Sequence, residues 1–220
     1  MSVTDRWLDL PTVTSVEELE GFGMPEPATR DKVRTTLHPL DRDWLAHSSL
    51  VLVGTATPDG RCDVSPKGDP AGSLSMVLDD RTIVIPERAG NRRFDGFHNI
   101  LANPHVGLLF LIPGRTDTLR VNGVAQLVTD GPFFDDLRVK GHRPRLALVV
   151  HVEEVFYHCP KAFMRSRTWQ PQTWQPDAVC RYADAAKQLW RAGDDPQAVE
   201  DHYSDTSYEA QLYPSPDPKP

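Results

Sequence analysis

The chain has 220 residues, 39% of them hydrophobic and 25% charged, which is enough for one β-rich domain with appendages. Its formal net charge of −7 and pI near 5.6 exclude a general attraction to nucleic acid or to an anionic membrane, and leave small anions to be met by local clusters of cations. No stretch approaches the roughly 18 consecutive apolar residues of a membrane span, residues 1–10 lack the apolar centre of a secretory signal, and Cys62, Cys159 and Cys180 fall outside any CxxC spacing, so a soluble, cytoplasmic protein with reduced thiols and no metal site is expected.

Residues 1–46 read as short helices packing on the outside of a sheet. Ser15-Val16-Glu17-Glu18 has the spacing of a capping box, and Asp41 is placed to cap a helix that carries Trp44 and Leu45. From residue 50 the apolar periodicity changes from helix to strand. Residues 50–57 run into Pro58-Asp59-Gly60 and return along 61–65, a β-hairpin. A second pair, 74–78 with 82–85, joins at Asp79-Asp80. A third sets 106–112 against 118–128, and 147–155 adds one more apolar strand.

Antiparallel strands joined by short turns predict a barrel rather than alternating βαβ units. The fold class is mainly β with flanking helices, and residues 47–170 form its core. Two helices interrupt the strands, one over 91–101 ending before Asn103-Pro104, the other over 133–140 after Gly131-Pro132. Residues 171–212 form a helical extension, with helices over 177–190 and after Asp195-Pro196. Trp190, Tyr203 and Tyr208 give it aromatic surface suited to a dimer interface. The proline-rich residues 213–220 are expected to be a disordered tail.

Cations gather in three places. On an extended 61–67 segment, Arg61, Asp63, Ser65 and Lys67 share one face and Cys62 and Val64 the other, so a hydroxyl and a cation stand in line; a solvated strand face has the same pattern. Arg88, Arg92 and Arg93 crowd the start of a helix whose stripe is Phe94, Phe97 and Leu101. The positive end of a helix favours anions, so arginines there call for a phosphate or carboxylate; the alternative is a surface run paired with Asp79, Asp80 or Glu87. Along Thr118-Leu119-Arg120-Val121-Asn122 the polar residues face one side, either a cleft or solvent. His158-Cys159 precedes a segment holding Arg165 and Trp169 that could cover a flat ligand; the thiol as a nucleophile would need a base in space that spacing does not reveal. His105, His142 and His151 lack metal-ligand spacing.

In this order the features resemble the pyridoxamine 5'-phosphate oxidase-related flavoproteins, the FMN-binding split β-barrel family. The resemblance runs from Pro39 to Trp169. It rests on Thr57-Pro58-Asp59-Gly60, Asp63-Val64-Ser65-Pro66-Lys67-Gly68-Asp69, Asn91-Arg92-Arg93, the run from Asn103 to Phe110, Thr118 to Gly123, and His158-Cys159-Pro160-Lys161-Ala162. It implies a homodimer with FMN at the subunit interface. Lys67, Arg92 and Arg93 would hold the phosphate, and Asp63, Ser65 and Asn91 would neighbour it. The backbone around Val64 and around Ile85 and Pro86 would border the ring, with Thr118 and Arg120 near it, and Arg165 and Trp169 would reach the other subunit's cofactor. The family's oxidases carry Arg-x-Val-Leu-Leu-Lys and Ser-Arg-Lys where this chain has Arg61-Cys62-Asp63-Val64-Ser65-Pro66-Lys67 and Asn91-Arg92-Arg93, and they end in an arginine segment with no counterpart here. The implied activity is therefore FMN-dependent oxidoreduction of a small molecule other than pyridoxamine phosphate. The alternatives are a flavin or haem binding barrel without turnover, or a deazaflavin-dependent reductase.

Overall fold

The computed structural model describes residues 10–214. Residues 1–9, and 215–220 of the expected tail, lie outside them. The chain divides into two units, one ending at Val33 and one running from Arg34 onward.

In the first unit, helix α1 (Val16–Glu20) starts at Ser15, whose hydroxyl accepts from Glu18 N at 3.2 Å. The Glu18 carboxylate reaches one residue further back than a reciprocal box requires, and accepts from Thr14 N at 2.8 Å. A single-turn helix, α2 (Pro27–Arg30), follows.

The second unit opens with α3 (Pro39–His47). His38 is its cap, accepting from Leu40 N at 3.2 Å, so the helix begins two residues before Asp41. Asp41 is fully buried and has two tasks: it accepts from His38 N at 2.8 Å and binds the Arg34 guanidinium through both oxygens.

Seven strands follow: β1 (Leu50–Ala56), β2 (Cys62–Gly68), β3 (Met76–Val77), β4 (Thr82–Pro86), β5 (His105–Leu111), β6 (Thr118–Val128) and β7 (Ala147–His158). All pair antiparallel in one sheet of order β2-β1-β5-β6-β7-β4-β3. The second hairpin is shorter than its apolar run, and β7 continues three residues past the expected end. Val51 and Val53 of β1 share one buried cluster with Ile83 and Ile85 of β4, although three strands separate them in the order. The sheet therefore curls around its apolar face, as the open barrel of the expected fold class requires. Fully buried Phe110, Leu108 and Leu119 lie at its centre, each contributing about 1.5–3 kcal/mol by leaving water. Between Asn122 and Gly123 the β6–β7 register shifts, and a Cβ on Gly123 would lie 2.0 Å from His151 O, so only glycine fits the bulge.

Three expected helices are corrected. Residues 91–94 are not helical: Arg92 and Phe94 take left-handed φ of 59° and 56°, and α4 begins at Asp95 (Asp95–Ala102), with Phe94 stacked on Phe97 at 5.7 Å. Residues 132–137 form successive turns, with N–H groups bonded three residues back, as Phe134 N to Gly131 O at 3.1 Å. Burial of Phe134 and Leu137 against Val84 and Ala147 sets that path and overrides the local helical pattern. After β7 come α5 (Lys161–Ser166), two short 3-10 turns, α6 (Tyr182–Leu189), α7 (Pro196–His202) and α8 (Asp205–Gln211). The expected helix over 177–190 thus begins only at Tyr182, while Asp195 caps α7 by accepting from Ala198 N at 2.8 Å. No helix among the described residues is long and apolar enough to cross a membrane.

Candidate functional site

The edge strand β2 alternates half-buried Asp63, Ser65 and Lys67 with exposed Cys62, Val64 and Pro66. Its polar residues thus turn toward the barrel opening, under the start of α4. As an edge it also offers backbone N–H and C=O groups that no other strand takes. A cleft of about 500 Å³ runs beside it, within the ~300–1,000 Å³ range of small-molecule sites. From Asp63 to Lys67 the strand spans about 13 Å.

Lys67, Asn91, Arg92 and Arg93 line this one cleft, together with Asp63, Val64, Ser65 and Pro86. The loop that carries the arginines is shaped by the two left-handed residues and by Asn91, whose side-chain oxygen accepts from Arg93 N at 3.0 Å. Arg93 binds Asp95 at 2.6 Å at the surface; that carboxylate, and Asp63 more weakly, raises the guanidinium pKa above its ordinary value. Lys67 is mostly covered, ion-paired with Glu87, and lies 4.7 Å from the centroid of the Phe97 ring. Arg92 has no hydrogen-bond or ion-pair partner among the described residues.

Further along the cleft, Arg88 Nε binds Asp69 Oδ2 at 2.6 Å and Arg88 Nη2 donates to Leu137 O at 2.9 Å. Arg88 Nη1 is covered and has no acceptor among the described residues. The other Asp69 oxygen accepts from the Tyr213 hydroxyl at 2.5 Å. Lys67, Arg88, Arg92 and Arg93 are thus offset by Asp63, Asp69, Glu87 and Asp95 around one space.

Five expected site residues lie elsewhere. Ile85 is buried in the core, 1% exposed, beside Pro86. Thr118 is buried, and exposed Arg120 lies 5.8 Å from the Phe156 ring centroid on the outer face of the sheet. Arg165 is exposed on α5. Trp169 stacks on Phe163 at 5.9 Å and donates to Arg115 O at 2.6 Å. His158 and Cys159, at the end of β7, do not line the cleft. The pairing of the arginines also differs from the surface-run alternative: they meet Asp69 and Asp95, while Glu87 takes Lys67.

Glu87, Asp69 and Tyr213 are cleft residues to which the sequence pattern gave no ligand-binding role, Glu87 entering it only as a partner for surface arginines. Glu87 and Asp69 adjoin the cationic segments, a usable signal; nothing local marks Tyr213, which arrives from 144 residues away.

The sequence model of a family described as pyridoxamine 5'-phosphate oxidase matches residues 37–159, which include all seven strands and α4. Among solved structures, HupZ of Group A Streptococcus is 21% identical, covering 55% of this chain and 93% of that one, with a TM-score of 0.44. A pyridoxamine 5'-phosphate oxidase-related, FMN binding protein from Nostoc punctiforme is 13% identical over 55% of this chain and 84% of its own, with a TM-score of 0.38. HutZ, the heme storage protein from Vibrio cholerae, is 14% identical over 56% and 93%, with a TM-score of 0.38. No curated protein matches.

Proposed function

We propose a function from one premise: this chain belongs to the pyridoxamine 5'-phosphate oxidase family. Its cleft is a flavin mononucleotide site, and the protein acts through that flavin as an oxidoreductase on a small molecule. The observation that carries the reading is the meeting of Lys67, Arg92 and Arg93 at one cleft.

A phosphomonoester brings about two negative charges and several acceptors, which suit guanidinium groups and turn N–H groups together. Arg92 receives it directly, while Lys67 and Arg93 exchange Glu87 and Asp95 for phosphate oxygens. Ser65 and the free edge of β2 provide polar groups for a ring rich in acceptors. When bound, the flavin supplies hydride or electron transfer; the residues around it hold it, orient it and exclude water.

A second copy of the chain completes the site. Val64 is 64% exposed on β2, and inward from it Gly54 faces Gly107 on the outer sheet surface, a flat strip against which another molecule can lie. Arg165 and Trp169, remote from their own subunit's cleft, are then assigned to the partner's.

A second reading, a flavin-binding barrel without turnover, rests on the same cleft, since holding the phosphate there requires no group that acts on a substrate. Haem fits less well, because among the described residues no His, Cys or Met lines the cleft and its one tyrosine, Tyr213, has its hydroxyl committed to Asp69. Mass spectrometry of the ligand released on denaturation, followed by anaerobic reduction with NADPH, NADH or reduced deazaflavin, tests both. FMN that is reduced supports the oxidoreductase; FMN that is not supports the binding barrel. A colourless protein with no thermal shift on adding FMN overturns both.

A further inference from the structure

Tyr213 belongs to a stretch whose composition suggests a free tail, and it lies outside the residues 37–159 that the family model covers. Yet Leu212 and Tyr213 line the same cleft as Lys67 and the arginine corner. We propose that these two residues are a latched wall of the ligand cleft, and that the latch, the Tyr213 hydroxyl on Asp69, gates passage of ligand into and out of it. The identity of the ligand rests on the cofactor reading above; the wall and the latch do not.

Three observations support the latch. Asp69 is 8% exposed and divides its carboxylate, one oxygen taking Arg88 and the other taking Tyr213 at 2.5 Å. The tyrosine ring is steadied by Lys140 Nζ, 5.3 Å from its centroid, and by the His142 ring at 6.4 Å. Burial, and then the bond to Asp69, push the phenol up to about 12, so it remains a donor at any physiological pH.

Two further observations make the latch a gate rather than a fixed strut. Among the described residues, the hydrogen bond and the ring contacts that hold 212–214 beyond their own helix are all made by Tyr213, and Leu212 is 51% exposed. A surface segment tied by so few bonds opens at low free energy. Opening would also leave Asp69 Oδ1 without its donor, so the open wall presents a carboxylate oxygen to an incoming hydrogen-bond donor.

The test uses the full-length chain and Tyr213→Phe, which keeps the ring and removes the hydroxyl. Stopped-flow fluorescence with FMN measures entry and release separately. Because the lost bond has a charged acceptor, both rate constants should rise by about tenfold, with a smaller change in Kd. A lost ligand contact would raise release alone, and that result overturns the gate. Hydrogen exchange of the ligand-free protein, read on peptides covering 86–97, should be faster in the variant. Wild-type exchange together with wild-type rates, or faster exchange with wild-type rates, also overturns it. If the wild-type protein takes up no FMN, the cofactor reading fails while the exchange measurement still decides the latch.

Discussion

Lys67 and Glu87 are ion-paired across the opening of the curled sheet, one on β2 and the other just after β4, strands that stand first and sixth in the order. Arg88 and Asp69 span the same gap beside them. Two ion pairs therefore hold the split of the barrel together at the place where a phosphate would enter. A phosphate bound as proposed must compete with Glu87 for Lys67. Glu87→Gln should tighten FMN binding a few-fold by releasing the ammonium. Lys67→Met should weaken it by about 1.5–3 kcal/mol, roughly ten- to hundredfold, as expected for a charge-assisted bond. Flavin fluorescence titration reads both, and equal Kd values for the two variants would remove Lys67 from the phosphate site.

Arg92 occupies a left-handed conformation, φ 59°, with no hydrogen-bond or ion-pair partner among the described residues. Such a conformation costs a residue bearing a Cβ about 1–2 kcal/mol, part of which glycine returns through its own loss of freedom. Arg92→Gly should stabilise the protein by about 0.5–1 kcal/mol in urea denaturation while weakening FMN binding. Loss of stability together with unchanged binding would mean that the strain is structural and serves no ligand.

Gly123 marks the β6–β7 bulge. A methyl group there meets the His151 carbonyl at 2.0 Å, backbone against backbone, and no rotamer relieves it. Gly123→Ala should destabilise by more than about 3 kcal/mol or prevent folding, whereas Gly114→Ala, in an open turn at φ 87°, should cost no more than about 1–2 kcal/mol. Circular dichroism melts compare the two, and a near-wild-type melt for Gly123→Ala would rule out the bulge geometry.

Burial, and then the neighbouring Arg88, push the His142 imidazole below its ordinary value near 6.5, against a smaller opposing pull from Asp69. Below pH 6.5 the unfolded chain binds a proton that the folded chain resists, so stability is full above that value and is lost as the pH falls through the depressed folded pKa. Melting temperatures should fall between pH 7 and pH 5, and His142→Gln should flatten that slope. Identical slopes for the two proteins would assign the effect to other groups.

The strands and their turns were legible along the chain because their signals are local: alternating apolar residues, and Pro58-Asp59-Gly60 between two such runs. The cations of the cleft were legible for a similar reason, since arginines concentrated before an apolar stripe stand out in any window. The start of α4 was not, because Arg92 and Phe94 adopt a conformation that no pattern of polarity encodes. The turns over 132–137 were not either, since burial of Phe134 is decided by β4 and β7.

By itself the sequence determined the fold class, the order of the strands along the chain and the presence of a cationic corner, each written in neighbouring residues. Only the tertiary structure decided that Glu87 neutralises Lys67, that Asp69 joins Arg88 to Tyr213, and that Arg120, Arg165 and Trp169 lie away from the cleft. Those relationships join residues tens to more than a hundred positions apart. They exist because the curled sheet brings its first and sixth strands to one opening, a closure produced by burying the shared apolar face and recorded in no single segment.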